Sequence, residues 1–209
     1  VSADSPNFGG LLEIGSQATA SVNADFSKSN ANVSGTLSGT GTLGLVSSLA
    51  GSYVQPGPGA GQRLNIEGLN PTTGKGAVVF DIYGNQQPVT NDYLRGTSSS
   101  SAFNIEGLQL IVNGEAPFSG NGFVQKLIEN GPGGTVSGFF VDASGKPIDD
   151  GGKVQINGTS KTAVIDYSFG PDNNDVALLF VENLVYSLYT YNQQAGTLDL
   201  QLGEDTNLT

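Results

Sequence analysis

The sequence predicts an all-β fold: a single antiparallel β-barrel of about eight or more strands, with one short helix and long loops. Three observations point there. Of 209 residues, 31 are glycine, 37% are hydrophobic and only 13% are charged; the apolar residues come in short bursts cut by Gly, Asn and Ser, as in ordered strands joined by many turns. Residues 20–26 and 161–169 alternate apolar with polar side chains, the period of a half-buried strand. Residues 134–156, GTVSGFFVDASGKPIDDGGKVQI, set Val136, Phe139 and Val141 among Gly134, Gly138, Gly145, Gly151 and Gly152. That stretch reads as a strand that turns over on glycines and re-enters as a second strand.

The length suits one sizeable core. Residues 1–10 read as a flexible lead-in and 11–209 as the barrel domain, with 170–209 as an additional hairpin or extension. In chain order, Ala20, Val22, Ala24 and Phe26 share one face, the turn SKSN follows, and Val33, Gly35 and Leu37 resume the pattern, so 19–46 is expected to be a hairpin. Residues 47–62 carry two prolines and several glycines and are expected to be loop, as are 86–101; both are candidates for a functional rim. LNIEGL at 64–69 and FNIEGL at 103–108 resemble each other, as equivalent strands of two half-repeats or by convergence of strand composition. Each fits a strand kinked at its glycine. Residues 75–85 read as a strong strand ending in a Gly-Asn turn, and 108–113 as a continuation of the second repeat strand. NGFVQKLIENG, 121–131, is predicted to be the helix, because Phe123, Leu127 and Ile128 fall on one helical face and Gly131 stands where a C-cap glycine belongs. Residues 175–192 fit a helical stripe of Ala177, Val181, Leu184, Leu188 and Tyr191, but their β-branched and aromatic content favours strands, followed by strand, turn and strand through 201.

Composition also limits chemistry. Eight basic and nineteen acidic residues give a net charge of −11, and no basic residue follows Lys161. Nucleic acid and anionic membrane surfaces are repelled by such a chain and are not expected as partners. Cys, His, Met and Trp are absent, which removes disulfides, thiol chemistry and the commonest general base and metal ligand. No run is long enough for a transmembrane helix, and a chain opening on Val1 suggests a processed form or an excised fragment.

Paired carboxylates remain an enzymatic option without His, and Glu67, Asp81, Glu106 and Asp142 lie on expected strands. Alternation alone places acids on a solvated face, however, and the chain has no Trp to build a sugar platform. Serines lack a base, and GPGAG at 57–61 lacks the Lys-Ser/Thr and helix of a phosphate loop. Asp172, Asn173, Asn174 and Asp175, and likewise Asp149 with Asp150, are oxygen-rich, but the turn preference of Asn and Asp explains them better than calcium does. Sequons stand at Asn32, Asn157 and Asn207. Tyr186, Tyr189 and Tyr191 with Phe180 form the densest aromatic group, read as core before binding surface.

The succession ASVNADFSKSNANVSGTL (20–37), APFSGNGF (116–123) and GTVSGFFVDASG with a following GG is similar to the barrel domain of the transferrin-binding protein B-like family of bacterial surface lipoproteins. Asp25, Phe26, Val33, Gly35, Leu37, Phe118, Gly120, Gly134, Val136, Gly138 and Phe140 stand in the matching places. The resemblance implies a non-enzymatic barrel exposed at, or shed from, a bacterial surface. The family's iron-carrier and haem partners do not carry over, because no binding residue matches. The expectation is therefore an extracellular or surface β-barrel that binds an unknown protein or small ligand through its loops. It predicts no enzyme, no cofactor, no metal and no direct membrane insertion, and names no catalytic or binding residue. The alternative is a structural domain of a surface filament or adhesin, such as a flagellar-hook-like or fibre module, and a weaker one is a carbohydrate-active β-sandwich.

Overall fold

The computed structural model describes residues 9–57, 61–72, 76–83, 91–114 and 123–180, with the backbone of two further strands at 189–192 and 197–200. The described residues form strands and turns and no helix. Their strands recur in threes. A first side carries β1 (Leu11–Ile14), β4 (Asn30–Val33), the later halves of β6 (Thr42–Ser48) and β8 (Arg63–Pro71), β11 (Ala102–Asn104) and β14 (Thr135–Ser137). A second side carries β2 (Thr19–Ser21), β5 (Thr36–Gly39), β7 (Tyr53–Pro56), β9 (Ala77–Ile82) and β12 (Gln109–Gly114). On the third lie β3 (Asp25–Phe26), the earlier halves of β6 and β8, β10 (Tyr93–Gly96) and β13 (Phe123–Glu129).

Every pairing between successive levels of these sides is parallel. A parallel pair needs a long return path, and here the other two sides of each coil provide it. The result is a three-sided parallel β-solenoid, in which each level buries its apolar side chains against the next. Ladders of like residues run through it. Leu12, Ala31, Val46, Leu69, Phe103 and Val136 stack on the first side, Ala20, Leu37, Val54, Val78 and Leu110 on the second, and Leu64, Leu94, Ile128 and Val176 on the third. Within these ladders Leu37, Val54, Val78, Leu64 and Leu94 are fully buried. Because β6 and β8 each run round a corner from the third side to the first, those two sides form one 12-stranded sheet, while the second side is a separate five-stranded sheet.

One end of the solenoid is closed by strands running the other way. β17 (Asp175–Phe180) pairs antiparallel with β13, β16 (Thr162–Phe169) with β17, and β15 (Lys153–Gln155) with β16. Phe180 stacks flat on Phe123, with centroids 4.3 Å apart. Val141 and Asn157 each bridge in parallel to β12, which covers the second side at the same end.

Several expectations are corrected here. The antiparallel barrel is not formed: among the described residues no sheet closes, and most pairings are parallel. The expected hairpin at 19–46 is absent because the chain does not reverse at SKSN. It turns a corner instead, so that β4 lies parallel on β1 and β5 on β2. In place of the predicted helix at 121–131, the described residues 123–129 are strand β13, held between β10 and β17. Its register slips between Lys126 and Ile128, so Leu127 and Ile128 are both fully buried. Two adjacent inward residues at a bulge imitate the i, i+4, i+5 face of a helix. The expected loop at 47–62 contains β7, and that at 86–101 contains β10. Within 134–156, Phe139 is 39% exposed and Phe140 is the buried residue, and β14 and β15 pair with different neighbours rather than with each other.

The two NIEGL segments are not equivalent. Leu64 is level with Leu94, whereas Phe103 lies beside Leu69. In the first, Ile66 and then Leu69 point inward, so the buried parity changes at Glu67–Gly68 as the strand rounds a corner; a Cβ on Gly68 would lie 2.5 Å from the Ala102 carbonyl oxygen. In the second the strand stops at Asn104, and Gly107 turns the chain at φ 74°. The expectations of strands at 75–85 and 161–169 agree with β9 and β16, and that for 175–192 agrees with β17 over 175–180; the Gly-Asn turn at 84–85 and residues 181–188, with Val181, Leu184 and Leu188, lie outside the described residues. β18 (Tyr189–Asn192) and β19 (Thr197–Leu200) form the expected antiparallel ribbon. The lead-in residues 1–8, with Phe118, Gly120, Tyr186 and Asn207, lie outside the described residues.

Candidate functional site

Where the third side meets the first, three successive corners lie beside one another: 96–99 after β10, 130–132 after β13 and 171–175 before β17. With Arg95, Lys126 and Glu129 on the outer face of the strands, they line a cleft of about 430 Å³. Two of the chain's eight basic residues stand here, and both are paired. Arg95 Nε lies 3.4 Å from Glu129 Oε2, Lys126 Nζ 3.4 Å from Glu129 Oε1, and Lys126 Nζ 2.8 Å from Asp175 Oδ2. Burial pulls the Lys126 ammonium down, but the hydrogen bond and charge of Asp175, aided by Glu129, outweigh it and hold the pKa above the ordinary lysine value.

Asp175 is the centre of this arrangement. Its Oδ1 accepts the backbone N–H of Asn130 at 2.8 Å, and the Asn174 amide donates to the carbonyl oxygens of Gly131 (2.8 Å) and Gly134 (3.3 Å). The turn before β17 therefore clips the cap onto the corner between β13 and β14. Asn173 adopts φ 53°, the left-handed conformation that Asn tolerates in a tight turn. Asn130 is packed closely: its Oδ1 is buried without a hydrogen-bond partner among the described residues, where a Cβ on Gly96 or Gly134 would come within 2.4 or 2.6 Å of it. Asp175→Ala is expected to cost about 2 kcal/mol of stability, since it leaves the part-buried Asn130 N–H unpaired and removes the nearer of the two carboxylate partners of a partly exposed lysine. Lys126→Ala should cost less than half of that, and urea denaturation of both variants checks the order.

The four carboxylates of the catalytic-pair option are dispersed among separate hydrogen-bond sets. Glu67 sits on the bend of β8 and accepts the hydroxyls of Thr97 (2.5 Å), Ser98 (2.8 Å) and Ser100 (3.1 Å) from the corner one level on. The Thr97 bond above all, against a smaller opposing effect of burial and with help from the two serines, lowers its pKa. Stability from this clasp is present above the usual carboxylate range and is lost as the pH falls through the lowered value. Glu67→Gln should accordingly be less stable than the parent near neutrality and should approach it in acid, as read from denaturation midpoints against pH.

Asp81 belongs to an amide ladder on the second side. Its oxygens accept from Gln55 and Asn113, both at 2.9 Å, and Asn113 accepts from Asn157 at 3.2 Å. Glu106 lies in a turn rather than on a strand and accepts the Phe139 N–H. Asp142 is also in a turn, where its Oδ1 takes Ser144 N–H, Ser144 Oγ and Lys146 N–H, and these bonds lower its pKa, with the Ser144 hydroxyl first. Of the acidic pair, Asp150 accepts the Tyr167 N–H and Asp149 closes the turn to Gly152 through its carbonyl. Burial, with the charge of Asp150, raises Asp166, but Asp166 accepts the Ser168 N–H within β16, where the register against β17 shifts. Among the described residues no three of His, Cys, Asp or Glu are grouped as metal ligands. Asn32 donates its amide to Glu13.

Sequence reasoning singled out the Asp-Asn-Asn-Asp turn but not its partners Lys126, Glu129 and Asn130. The signal was present: strand alternation over 123–129 places Val124 and Lys126 outward, and the expected helix obscured it. No protein-family model, no curated protein and no solved structure matches the chain.

Proposed function

We propose that the chain is a non-enzymatic structural module, the closed end of a β-solenoid in a surface filament or adhesin of a bacterium. The observation that supports this best is the difference between the solenoid and its cap. Parallel ladders run through a solid core, and at one end antiparallel strands cross it and are clipped in place by Asn174 and Asp175. Solenoids need such a cap, because a bare level presents a hydrophobic edge to solvent. The extracellular address belongs to the same proposal. It is compatible with a chain that has no cysteine and so depends on no particular redox compartment. No helix among the described residues is long and apolar enough to cross a membrane.

Binding of a small polar ligand in the Arg95–Asp175 cleft is the second reading, favoured by the cleft's size. Surface display separates the two. With the protein expressed at the cell surface and counted by flow cytometry, Asn174→Ala with Asp175→Ala should reduce display severalfold. Arg95→Ala with Ser99→Ala should leave display and adhesion unchanged. Unaltered display in the first pair, or adhesion lost in the second, contradicts the structural reading.

A further inference from the structure

The geometry points to the outer edge of β1 as an interaction surface whose partner is a further parallel β-coil, stacked in register on the first level. The inference rests on the structural reading above and adds where the solenoid makes contact and with what. β1 pairs with β4 on one side, and among the described residues its other edge has no strand beside it. Natural proteins blunt a free edge with Pro, Lys, a bulge or an inward charge. LLEI has none of these. Leu11 is 55% exposed, more than any other large hydrophobic among the described residues. The opposite end, by contrast, carries its antiparallel cap.

The chemistry of the partner follows from the ladders that β1 heads. Leu12 and Ile14 stand over Ala31 and Val33, so the incoming strand needs aliphatic side chains at those two alternate positions. Glu13 stands over Asn32 and accepts its amide through Oε1, and among the described residues its Oε2 has no partner. The residue arriving over Glu13 is therefore an amide or ammonium donor. A second copy of this chain fits less well: two copies meeting at their open ends would pair β1 antiparallel and bring together two molecules of charge −11.

The test copies residues 30–44 and inserts the copy between Gly10 and Leu11. Leu11 then takes the place that Leu45 has in the native coil, since Leu11 is level with Asn30, and Ala31 with Val46. Hydrogen exchange at the outward amides of β1 should slow at least about tenfold. If the insert does not fold, a free peptide of residues 28–36 added to the unmodified chain should shift the β1 amide resonances, and the same peptide with Pro at the Asn32 position should not. Unchanged exchange in a folded insert, or no shift with the peptide, overturns the proposal. So does a dimer of the unmodified chain that Leu12→Pro dissociates, which would make a second copy the occupant. Neither readout depends on the cleft or on surface display, so failure here leaves the structural reading to its own test.

Discussion

Gly39→Ala is expected to destabilise the protein by about 3 kcal/mol or more. Gly39 ends β5 at φ 126°, a conformation that L side chains rarely adopt. A Cβ there would lie 2.0 Å from the Val22 carbonyl oxygen and 2.6 Å from Val22 C and N, all backbone atoms of the level below. No side-chain rotation relieves that overlap, so the corner must open. Opening it breaks the stack in which Val22 O accepts the Gly41 N–H at 2.8 Å and Gly39 O accepts the Gly57 N–H at 3.0 Å. Gly51→Ala is the control: Gly51 has φ 73°, but its Cβ would meet nothing within 4 Å, so only the left-handed cost of about 1–2 kcal/mol applies. Urea denaturation of the two variants separates conformational strain from close approach.

Phe80→Ala is expected to cost about 3–5 kcal/mol, the usual range for deleting a buried phenylalanine. Phe80 is fully buried on β9, a strand with all six residues buried, and is level with Val112 on β12. The core here is bounded by backbone ladders on three sides, which limits how far it can collapse into the cavity left behind. The denaturation midpoint should fall with little change in slope. A loss below about 1.5 kcal/mol would mean that this region is less tightly packed than its burial implies.

Strand content was legible in the sequence and strand direction was not. The alternation of β16 and the apolar run of β9 identify strands correctly, because alternation reports which face is buried. It does not report whether the neighbour runs parallel or antiparallel. Glycines such as Gly35 and Gly39 look the same whether they serve a hairpin turn or a solenoid corner. The distinction lies in the carbonyl oxygens of Ala18 and Val22, each about 2 Å from where a Cβ would stand, and those belong to another level. The bulge in β13 concealed a strand behind a helical pattern. For the candidate site, the turn 171–175 could be read from its Asn and Asp residues. Its attachment could not, because Lys126 and Asn130 are brought to Asp175 by pairing between β13 and β17 over a long stretch of chain.

The parallel register is the central claim, and the chain's lack of cysteine allows it to be measured directly. Ser47 and Asn70 are partners on β6 and β8, both with some exposure, and neighbouring strands lie about 4.8 Å apart, within reach of a disulfide. In the double variant Ser47→Cys, Asn70→Cys, mild oxidation should produce a nearly complete intramolecular disulfide, visible by mass and by peptide mapping, in a protein that keeps its cooperative unfolding. Free thiols, or bridges only between molecules, would contradict the solenoid.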